Sequence, residues 1–424
     1  MKLKLLNNKE IKNASWLIFG KIVQMVVALF VNIVTARYLG PDNYGLINYG
    51  TAYVAFFSSL CTLGINSIII KDFVDHPDEQ GIAIGSSIFM RFLSSVLSCF
   101  MIIGFCFVVD GNEPITIAVV ALCSLGTIFH VFEIFNYWFQ NQYKSKITSL
   151  ATLCAYILTA VYKIVLLILK FDVSWFAFST SVDYIAIAVF LYIAYKKHNG
   201  PKLKVSLSKS CDLLKNSYHY ILSSMMVAIY GQTDKLMLKQ FLNETEVGYY
   251  ATAVAICGMW TFVLQAIIDS LYPSILRLKN SDECNYRRKN KQLYAIVFYV
   301  SGFVSLVFLL GSEIFVNILY GKAFLPASNV LRVITWYTAF SYMGVARNAW
   351  IVSEGKQKYL KYIYALAALM NICLNLIFIP EYGAVGAAVA SLITQICTSI
   401  VLPMFIKDLR PNAKLILESI VLKF

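Results

Sequence analysis

The sequence predicts an all-α membrane protein in which twelve transmembrane helices form two six-helix lobes, with the N- and C-termini in the cytoplasm. Three observations predict this fold: the composition, the spacing of the apolar segments and the distribution of basic residues. Of the 424 residues, 59% are hydrophobic and only 14% are charged, against about 25% charged in ordinary soluble domains. Such a composition is typical of a polytopic membrane protein.

Polar clusters divide the chain into twelve apolar segments, each long enough to cross a bilayer as a helix. In order, they cover residues 13–37, 45–70, 82–109, 114–139, 147–169, 173–195, 217–242, 247–275, 292–319, 327–352, 359–380 and 384–406. The first segment is too long for the hydrophobic region of a cleavable signal peptide, so we expect it to be its own insertion signal. The predicted organisation is an N-terminal lobe (1–195), a basic cytoplasmic linker (196–216), a C-terminal lobe (217–406) and a cytoplasmic tail (407–424).

The basic residues predict the orientation. With the N-terminus inside, 26 of the 36 Lys and Arg residues fall in cytoplasmic segments, and only Arg37, Lys170, Lys239 and Lys322 lie at outer ends. This asymmetry is a strong positive-inside signal. The net charge of +13 is explained by topology and by attraction to anionic membrane lipids, so no nucleic-acid partner is expected. No cysteine lies in a predicted outer loop, so we expect no structural disulfide.

An internal repeat supports two related halves. The first outer turn reads A-R-Y-L-G-P-D-N-Y-G and ends at Gly45, and the seventh span ends K-Q-F-L-N-E-T-E-V-G at Gly248. Leu39 matches Leu242 at the same offset. Because six helices separate the copies, the repeats are parallel and related by an axis along the membrane normal. This arrangement predicts a central cleft between two lobes, as in alternating-access transporters.

Ten of the ionisable side chains in the apolar segments are candidates for the membrane interior. They are Lys21, Arg91, Lys163, Lys235, Arg332 and Arg347 among the bases, and Glu133, Asp183, Asp234 and Asp269 among the acids. Facing lipid at roughly 2.5–3.5 kcal/mol each, they would cost on the order of 30 kcal/mol, more than the whole stability of a fold. Most must therefore face one another or a wet cavity.

Polar residues recur at helical spacing on spans one, two, seven and eight. The stripes contain Lys21, Gln24, Asn32 and Thr35; Asn48, Thr51, Ser59 and Asn66; Ser224, Gln232, Lys235 and Lys239; and Thr261, Gln265, Asp269 and Tyr272. One interpretation is that these residues only join helices by hydrogen bonds. Since the repeat makes the four helices equivalent, we instead predict a polar cavity lined by all four.

Three segments carry a resemblance to a known family: Ala36–Gly45, already quoted, S-L-Y-P-S-I-L-R (Ser270–Arg277) and N-I-C-L-N-L-I-F-I-P-E-Y-G-A-V-G-A-A (Asn371–Ala388). In their order and spacing, the chain resembles the bacterial polysaccharide flippases, the Wzx-type O-antigen and capsule repeat-unit exporters of the MOP (multidrug, oligosaccharidyl-lipid, polysaccharide) superfamily. The resemblance implies a MATE-like fold in the bacterial inner membrane. It also implies export of an undecaprenyl-pyrophosphate-linked oligosaccharide to the periplasmic leaflet, with the glycan polymerase and chain-length machinery as candidate partners.

An anionic lipid diphosphate requires cations in a low-dielectric cavity. The predicted substrate-binding residues are Lys21, Gln24, Asn32, Asn48, Arg91, Lys163, Gln232, Lys235 and Arg332, and the candidates for H⁺ or Na⁺ coupling are Glu133, Asp234 and Asp269. Alternatively, Arg91 and Lys163 pair with Glu133 or Asp183, and Arg332 and Arg347 snorkel to the membrane surface. No metal or organic cofactor is predicted, because the membrane potential alone favours outward movement of an anion.

Two other functions compete with this prediction. A cation-coupled multidrug exporter of the same superfamily would require a mainly acidic cavity, whereas the bases outnumber the acids here. A membrane glycosyltransferase or polymerase would require a large outer loop with catalytic acids, whereas the predicted outer connections are short. The sequence therefore predicts a transporter without catalytic residues.

Overall fold

The structure is a computed structural model that describes residues 8–279 and 281–422. Its regular elements are helical, and no strand occurs in those two ranges. The α-helices are α1 (Asn8–Thr62), α2 (Ile69–Asp75), α3 (Gln80–Asp110), α4 (Pro114–Ser124), α5 (Ile134–Asn141), α6 (Ser145–Ile168), α7 (Val173–Lys197), α8 (Leu207–Phe241), α9 (Glu244–Gly258), α10 (Thr261–Leu278), α11 (Glu283–Tyr320), α12 (Ala327–Ser353), α13 (Leu360–Ile396), α14 (Leu402–Phe405) and α15 (Arg410–Ile420). A 3₁₀ segment, Leu125–Glu133, joins α4 to α5, and a π-helical segment, Cys397–Val401, follows α13.

Among the described residues, seven helical stretches are long and apolar enough to span a membrane, or eight if the bent pair α9 and α10 counts as one span. The two longest of these stretches, Gly20–Thr62 and Gln357–Phe405, are long enough for two crossings, and each is broken at a glycine. Gly20–Thr62 contains 43 residues and is broken at Gly40 (φ 73°, ψ 174°), and α13 is broken at Gly383 (φ 57°, ψ −136°). A helix of that length would extend about 65 Å, twice the roughly 30 Å of the hydrocarbon core. The protein is therefore a multi-pass, all-helical membrane protein, whereas twelve crossings and the orientation of the termini stay predictions.

The chain folds into two units. The first contains Met1–Leu39 and Leu46–Ala228, and the second contains Gly40–Gly45 and Ile229–Phe424. In the first, Phe135, Trp138 and Tyr195 pack in an aromatic core. The division falls within α8, and the sequence-based lobe boundaries stay predictions.

The core of the second unit brings α15 against the ends of longer helices. Tyr294 on α11, Trp350 on α12 and Ile416 on α15 belong to one buried cluster. The Asn412 side-chain amide also donates a hydrogen bond to the hydroxyl of Tyr294 at 2.5 Å. The segment predicted as a tail is therefore partly a packed helix.

A lysine of the basic linker forms ion pairs with two acids on and just after α2, within the first unit. The Lys209 ammonium lies 2.8 Å from the Asp72 carboxylate and 3.4 Å from that of Glu79. Partial burial alone would lower the pKa of Lys209, but its hydrogen bonds to these two acids outweigh burial and raise the pKa above its usual range. Lys209 therefore carries its charge at neutral pH.

Two glycines of the repeat meet within the second unit. A Cβ on Gly45 would lie 1.8 Å from the carbonyl oxygen of Glu244, and one on Gly248 would lie 2.2 Å from that of Pro41. Pro41 and Glu244 occupy equivalent positions in the two copies, so the contact is reciprocal. Only glycine permits backbones to approach this closely.

Candidate functional site

The first unit contains a polar cavity of about 400 Å³, within the usual range for small-molecule sites. It is formed by α1, the 3₁₀ segment, α5, α6 and α7. Its polar lining consists of Lys21, Gln24, His130, Glu133, Asn136, Thr148, Ser149, Thr152, Tyr156, Asp183 and Tyr184. Predicted residues of both kinds, substrate-binding (Lys21, Gln24) and ion-coupling (Glu133), thus line one cavity.

The 3₁₀ segment Leu125–Glu133 positions two of these side chains. Runs of 3₁₀ helix longer than three or four residues are uncommon, and residues i and i+3 eclipse each other. His130 and Glu133 therefore lie on the same side of the segment. The backbone of the segment is held by Ser181, whose hydroxyl accepts a bond from the Gly126 N–H at 2.8 Å and donates to the Leu122 carbonyl at 2.5 Å.

Arg91, on α3, is fully buried. It contacts the 3₁₀ segment, which forms one wall of the cavity. Its Nη2 lies 3.6 Å from the Glu133 carboxylate and donates to His130 Nδ1 at 3.1 Å and to the His130 carbonyl at 3.2 Å. Its Nη1 donates to Asn66 at 3.3 Å. The predicted alternative that Arg91 pairs with Glu133 is confirmed. Arg91 thus orients the cavity wall.

The same contacts define a tautomer of His130. Arginine can only donate hydrogen bonds, so Nδ1 of His130 accepts and the neutral ring carries its proton on Nε2. That nitrogen lies 3.4 Å from the Glu133 carboxylate.

Lys21, on α1, contributes a cation to the cavity. Its side chain is exposed, and it has no ion pair within the described ranges. Asp183, on α7, accepts a hydrogen bond from the Thr159 hydroxyl at 3.2 Å and interacts electrostatically with the half-buried Lys163. The cavity therefore presents one unpaired ammonium beside two carboxylates, and its charge is mixed rather than purely basic.

One wall of the cavity was missed by the sequence reasoning. Thr148, Thr152 and Tyr156 on α6 all line the cavity. Their i, i+4, i+8 spacing places them on one helical face, and this pattern was the available signal. His130 was a further signal, since only it and His219 among the four histidines lie inside predicted spans.

A second polar cluster surrounds Asp234 on α8 in the second unit. Asp234 is 5% exposed, and its Oδ1 accepts hydrogen bonds from the amides of Asn371 at 3.1 Å and Asn375 at 2.7 Å. Its Oδ2 accepts from Ser391 at 2.5 Å and from the hydroxyl of Tyr250. All four donors are neutral. The Asn375 Oδ1 is buried without a hydrogen-bond partner among the described residues.

The sequence contained a signal for these partners. Asn371 and Asn375 are one helical turn apart in an otherwise apolar segment, and Asn371 opens one of the segments that carried the family resemblance. The four donors stabilise the ionised carboxylate, and within the described ranges no positively charged side chain donates a hydrogen bond to it.

The other predicted site residues lie outside these two clusters. The half-buried ones are Asn32, Asn48, Lys163, Gln232 and Lys235, whereas Asp269 is exposed and accepts a hydrogen bond from Gln265 at 2.9 Å. Arg332 lies 2.7 Å from Glu313, whose side chain is 65% exposed. That exposed ion pair supports the snorkelling alternative for Arg332.

The expectation that Arg347 snorkels is wrong. Arg347 is 2% exposed, and its Nη1 donates to the carbonyl of Thr398, within the π-helical segment. In π register that carbonyl would accept from residue 403, which is a proline without an N–H. Arg347 supplies the missing donor, so an inward position satisfies the backbone better than the membrane surface would.

Comparison of the whole chain with solved structures defines its class. An inward-facing MATE multidrug transporter of the MOP superfamily matches with a TM-score of 0.74 at 13% identity, covering 92% of this chain and 96% of that one. The lipid II flippase MurJ, in an inward closed conformation, matches with a TM-score of 0.74 at 16% identity, covering 96% and 91%. The protein therefore has a MATE/MurJ-like fold.

The sequence comparisons identify the family. A profile described as "Polysaccharide biosynthesis protein" matches residues 11–279, and the chain belongs to this family. The capsular polysaccharide biosynthesis protein CapF of Staphylococcus aureus is 18% identical over 397 residues, covering 91% of this chain and 96% of CapF. A putative O-antigen transporter of Shigella flexneri is 21% identical over 416 residues, covering 92% and 96%. The resemblance to the polysaccharide flippases is confirmed.

Proposed function

We propose that this protein is a flippase that moves an undecaprenyl-pyrophosphate-linked oligosaccharide from the cytoplasmic to the outer leaflet of the bacterial inner membrane by alternating access. The observation that carries this proposal is the mixed-charge cavity of the first unit. An unpaired cation and several hydrogen-bond acceptors lie together there. Full-length similarity to capsule and O-antigen proteins supports the same conclusion.

The chemistry of the cavity suits a sugar linked to a phosphate. The Lys21 ammonium binds phosphoryl oxygens through charge-assisted hydrogen bonds, which are about twice as strong as neutral ones. The carboxylates of Glu133 and Asp183 accept hydrogen bonds from sugar hydroxyls, and the amides of Gln24 and Asn136 both donate and accept. A purely basic cavity would lack acceptors for the sugars.

We further infer that Asp234 couples transport to a cation, H⁺ or Na⁺. Its four neutral donors and the unpartnered Asn375 oxygen support this role. The membrane potential adds to the driving force, since outward movement of each negative charge is favourable by roughly 2.3 kcal/mol per 100 mV. Neither source requires a nucleotide site.

A cation-coupled multidrug exporter is the second candidate. Two carboxylates in the first-unit cavity would attract a cationic drug, and the MATE fold hosts such transporters. The fold does not separate the two functions, because the MATE and MurJ structures match equally well. The two functions differ in whether loss of the protein reduces the polysaccharide on the cell surface.

The test is complementation of a strain deleted for the gene. Surface polysaccharide is measured with the wild type and with Lys21→Ala, Lys21→Arg, Lys235→Ala and, as a matched control, the exposed Lys322→Ala. We expect Lys21→Ala to reduce surface glycan about tenfold, since one charge-assisted hydrogen bond contributes about 1.5–3 kcal/mol. We expect a smaller loss in Lys235→Ala, and little change in Lys21→Arg and Lys322→Ala.

Two results would contradict the proposal. Wild-type glycan levels in Lys21→Ala, at equal protein abundance, would exclude the cationic role of the cavity. Unchanged surface glycan in the deletion strain, with increased sensitivity to cationic dyes, would identify a drug exporter instead.

A further inference from the structure

A second cavity of about 400 Å³ lies on the second unit, apart from the Asp234 cluster. It is formed by three segments: the turn between α8 and α9, the start of α12 and the break in α13. Its lining is Leu242, Asn243, Glu246, Tyr249, Pro326, Asn329, Val330, Pro380, Glu381, Tyr382, Gly383 and Val385. We call it the outer pocket, because all three segments are predicted at the outer ends of spans.

The floor of the outer pocket is held by backbone contacts. One carboxylate oxygen of Glu246 accepts the Ala384 N–H at 2.7 Å, and the Asn243 side chain caps α9 by accepting the Glu246 N–H at 3.1 Å. Gly383 has a positive φ, and a Cβ there would lie 2.7 Å from that same Glu246 oxygen. The helix break is therefore fixed in place by Glu246, and the pocket is preformed.

The rim of the pocket presents unused chemistry. Tyr382 is 59% exposed, and Tyr249 is half-buried on the facing segment. The exposed Glu381 carboxylate has no hydrogen bond or ion pair in the described part of the chain. Asn329 accepts a bond from Arg332 through its oxygen at 3.0 Å, which leaves its NH₂ group free to donate. Two aromatic rings, an acceptor and a donor thus surround one cavity.

The side chains of the pocket argue against an anion and against a metal ion as its ligand. Two carboxylates, Glu246 and Glu381, lie in the pocket, and the nearby Arg332 is already paired with Glu313, so an anion would be repelled. No group of three or more His, Cys, Asp or Glu able to hold a metal occurs among the described residues. Because Glu246 already accepts the Ala384 N–H, the groups left to bind a ligand are one carboxylate, one amide and two aromatic rings, and a neutral ligand rich in hydroxyl groups fits these best. The aliphatic face of a pyranose packs on an aromatic ring, and its hydroxyls bond to carboxylate and amide groups.

We propose that the outer pocket binds a sugar residue of the oligosaccharide cargo on the outer side of the membrane. This inference rests on the proposed function and adds a second contact site to it. Tyr382 supplies the stacking surface, Glu381 accepts a hydroxyl hydrogen and Asn329 donates to a hydroxyl oxygen. The lipid diphosphate takes no part in this site.

Binding of two lipids to the full-length protein in nanodiscs tests the pocket. The probes are lipid-linked oligosaccharide extracted from the host strain and undecaprenyl pyrophosphate, which carries no sugar. The variants are Tyr382→Ala, Tyr382→Phe and Glu381→Gln, and the exposed Tyr362→Ala is the control because it lies outside the pocket. We expect Tyr382→Ala and Glu381→Gln to weaken glycolipid binding about tenfold and to leave undecaprenyl pyrophosphate binding unchanged. Tyr382→Phe retains the ring and should bind as the wild type does.

The outcomes separate the pocket from the flippase function. Wild-type affinity of Tyr382→Ala for the glycolipid would overturn the outer pocket and leave the flippase proposal intact. Equal loss for both lipids would also overturn it, since the pocket would then not be reading sugar. Failure of the wild-type protein to bind the glycolipid would overturn the flippase proposal, and the pocket proposal with it.

Discussion

Arg91 and Asp234 show two ways of burying a charge. Arg91 is compensated by a carboxylate, a histidine and an amide, whereas the hydrogen-bond donors to Asp234 are all neutral. An unpaired buried ion costs several kcal/mol even after relaxation. A carboxylate whose hydrogen-bond donors are all neutral can bind and release a cation without breaking a hydrogen-bonded ion pair, whereas Glu133 would have to give up its contact with Arg91. At the residue scale, we therefore propose Asp234 rather than Glu133 as the coupling group.

This difference predicts the effect of removing the carboxylate. Proteoliposomes containing wild-type protein should translocate lipid-linked oligosaccharide faster when a Na⁺ or proton gradient is imposed. Asp234→Asn should abolish the stimulation by the gradient, because the amide cannot exchange a cation. Asp269→Asn should retain the stimulation, since Asp269 is exposed and bonded only to Gln265. Translocation is measured as access of the glycan to an external glycosidase.

If Asp234→Asn responds to both gradients as the wild type does, Asp234 is not the coupling group. Response to only one gradient in the wild type would identify the ion. The measurement is needed because the groups around Asp234 do not by themselves distinguish a Na⁺ site from a proton site.

At the scale of the elements, the sequence predicted where helices occur better than how they are joined. Every apolar segment lies in helical structure, because hydrophobicity and length are local properties of the chain. The breaks were less predictable. Glycine and proline marked the turns after Leu39 and at Pro380, but the nine-residue 3₁₀ segment depends on Arg91 and Ser181, which are distant in sequence.

The glycine contact gives a prediction at this scale. Gly45→Ala and Gly248→Ala each place a methyl group within 2.2 Å of a backbone oxygen, so the two segments must separate. We expect each variant to lose about 1–3 kcal/mol of stability, the usual cost of overpacking. Gly302→Ala is the matched control, because no atom of a neighbouring element lies within 4 Å of the added carbon. That variant should be unchanged or stabilised by about 0.5–1 kcal/mol, since alanine is the better helix former. Thermal unfolding in detergent measures all three, and equal midpoints would contradict the contact.

At the scale of the whole molecule, the sequence predicted the family and the fold class, whereas the arrangement of the site required three dimensions. Net hydrophobicity and charge asymmetry are sums over many residues, so single errors hardly affect them. The character of a cavity depends on a few side chains. Lys21 and Glu133 line the same cavity, and a count of intramembrane bases over acids could not show that the local charge is mixed.

The predicted topology can be tested with two native cysteines. Cys211 and Cys284 are both exposed and lie in segments predicted to be cytoplasmic, beside clusters of Lys and Arg that favour retention inside. A membrane-impermeant thiol reagent should therefore label them in inside-out vesicles and leave them unlabelled in intact spheroplasts. The exposed Asn112→Cys, between α3 and α4 in a predicted outer turn, should show the opposite pattern in a variant lacking Cys211 and Cys284. Labelling of Cys211 and Cys284 in spheroplasts would show that the orientation is the reverse of the predicted one. The outer pocket would then face the cytoplasm, where it could only select cargo before transport.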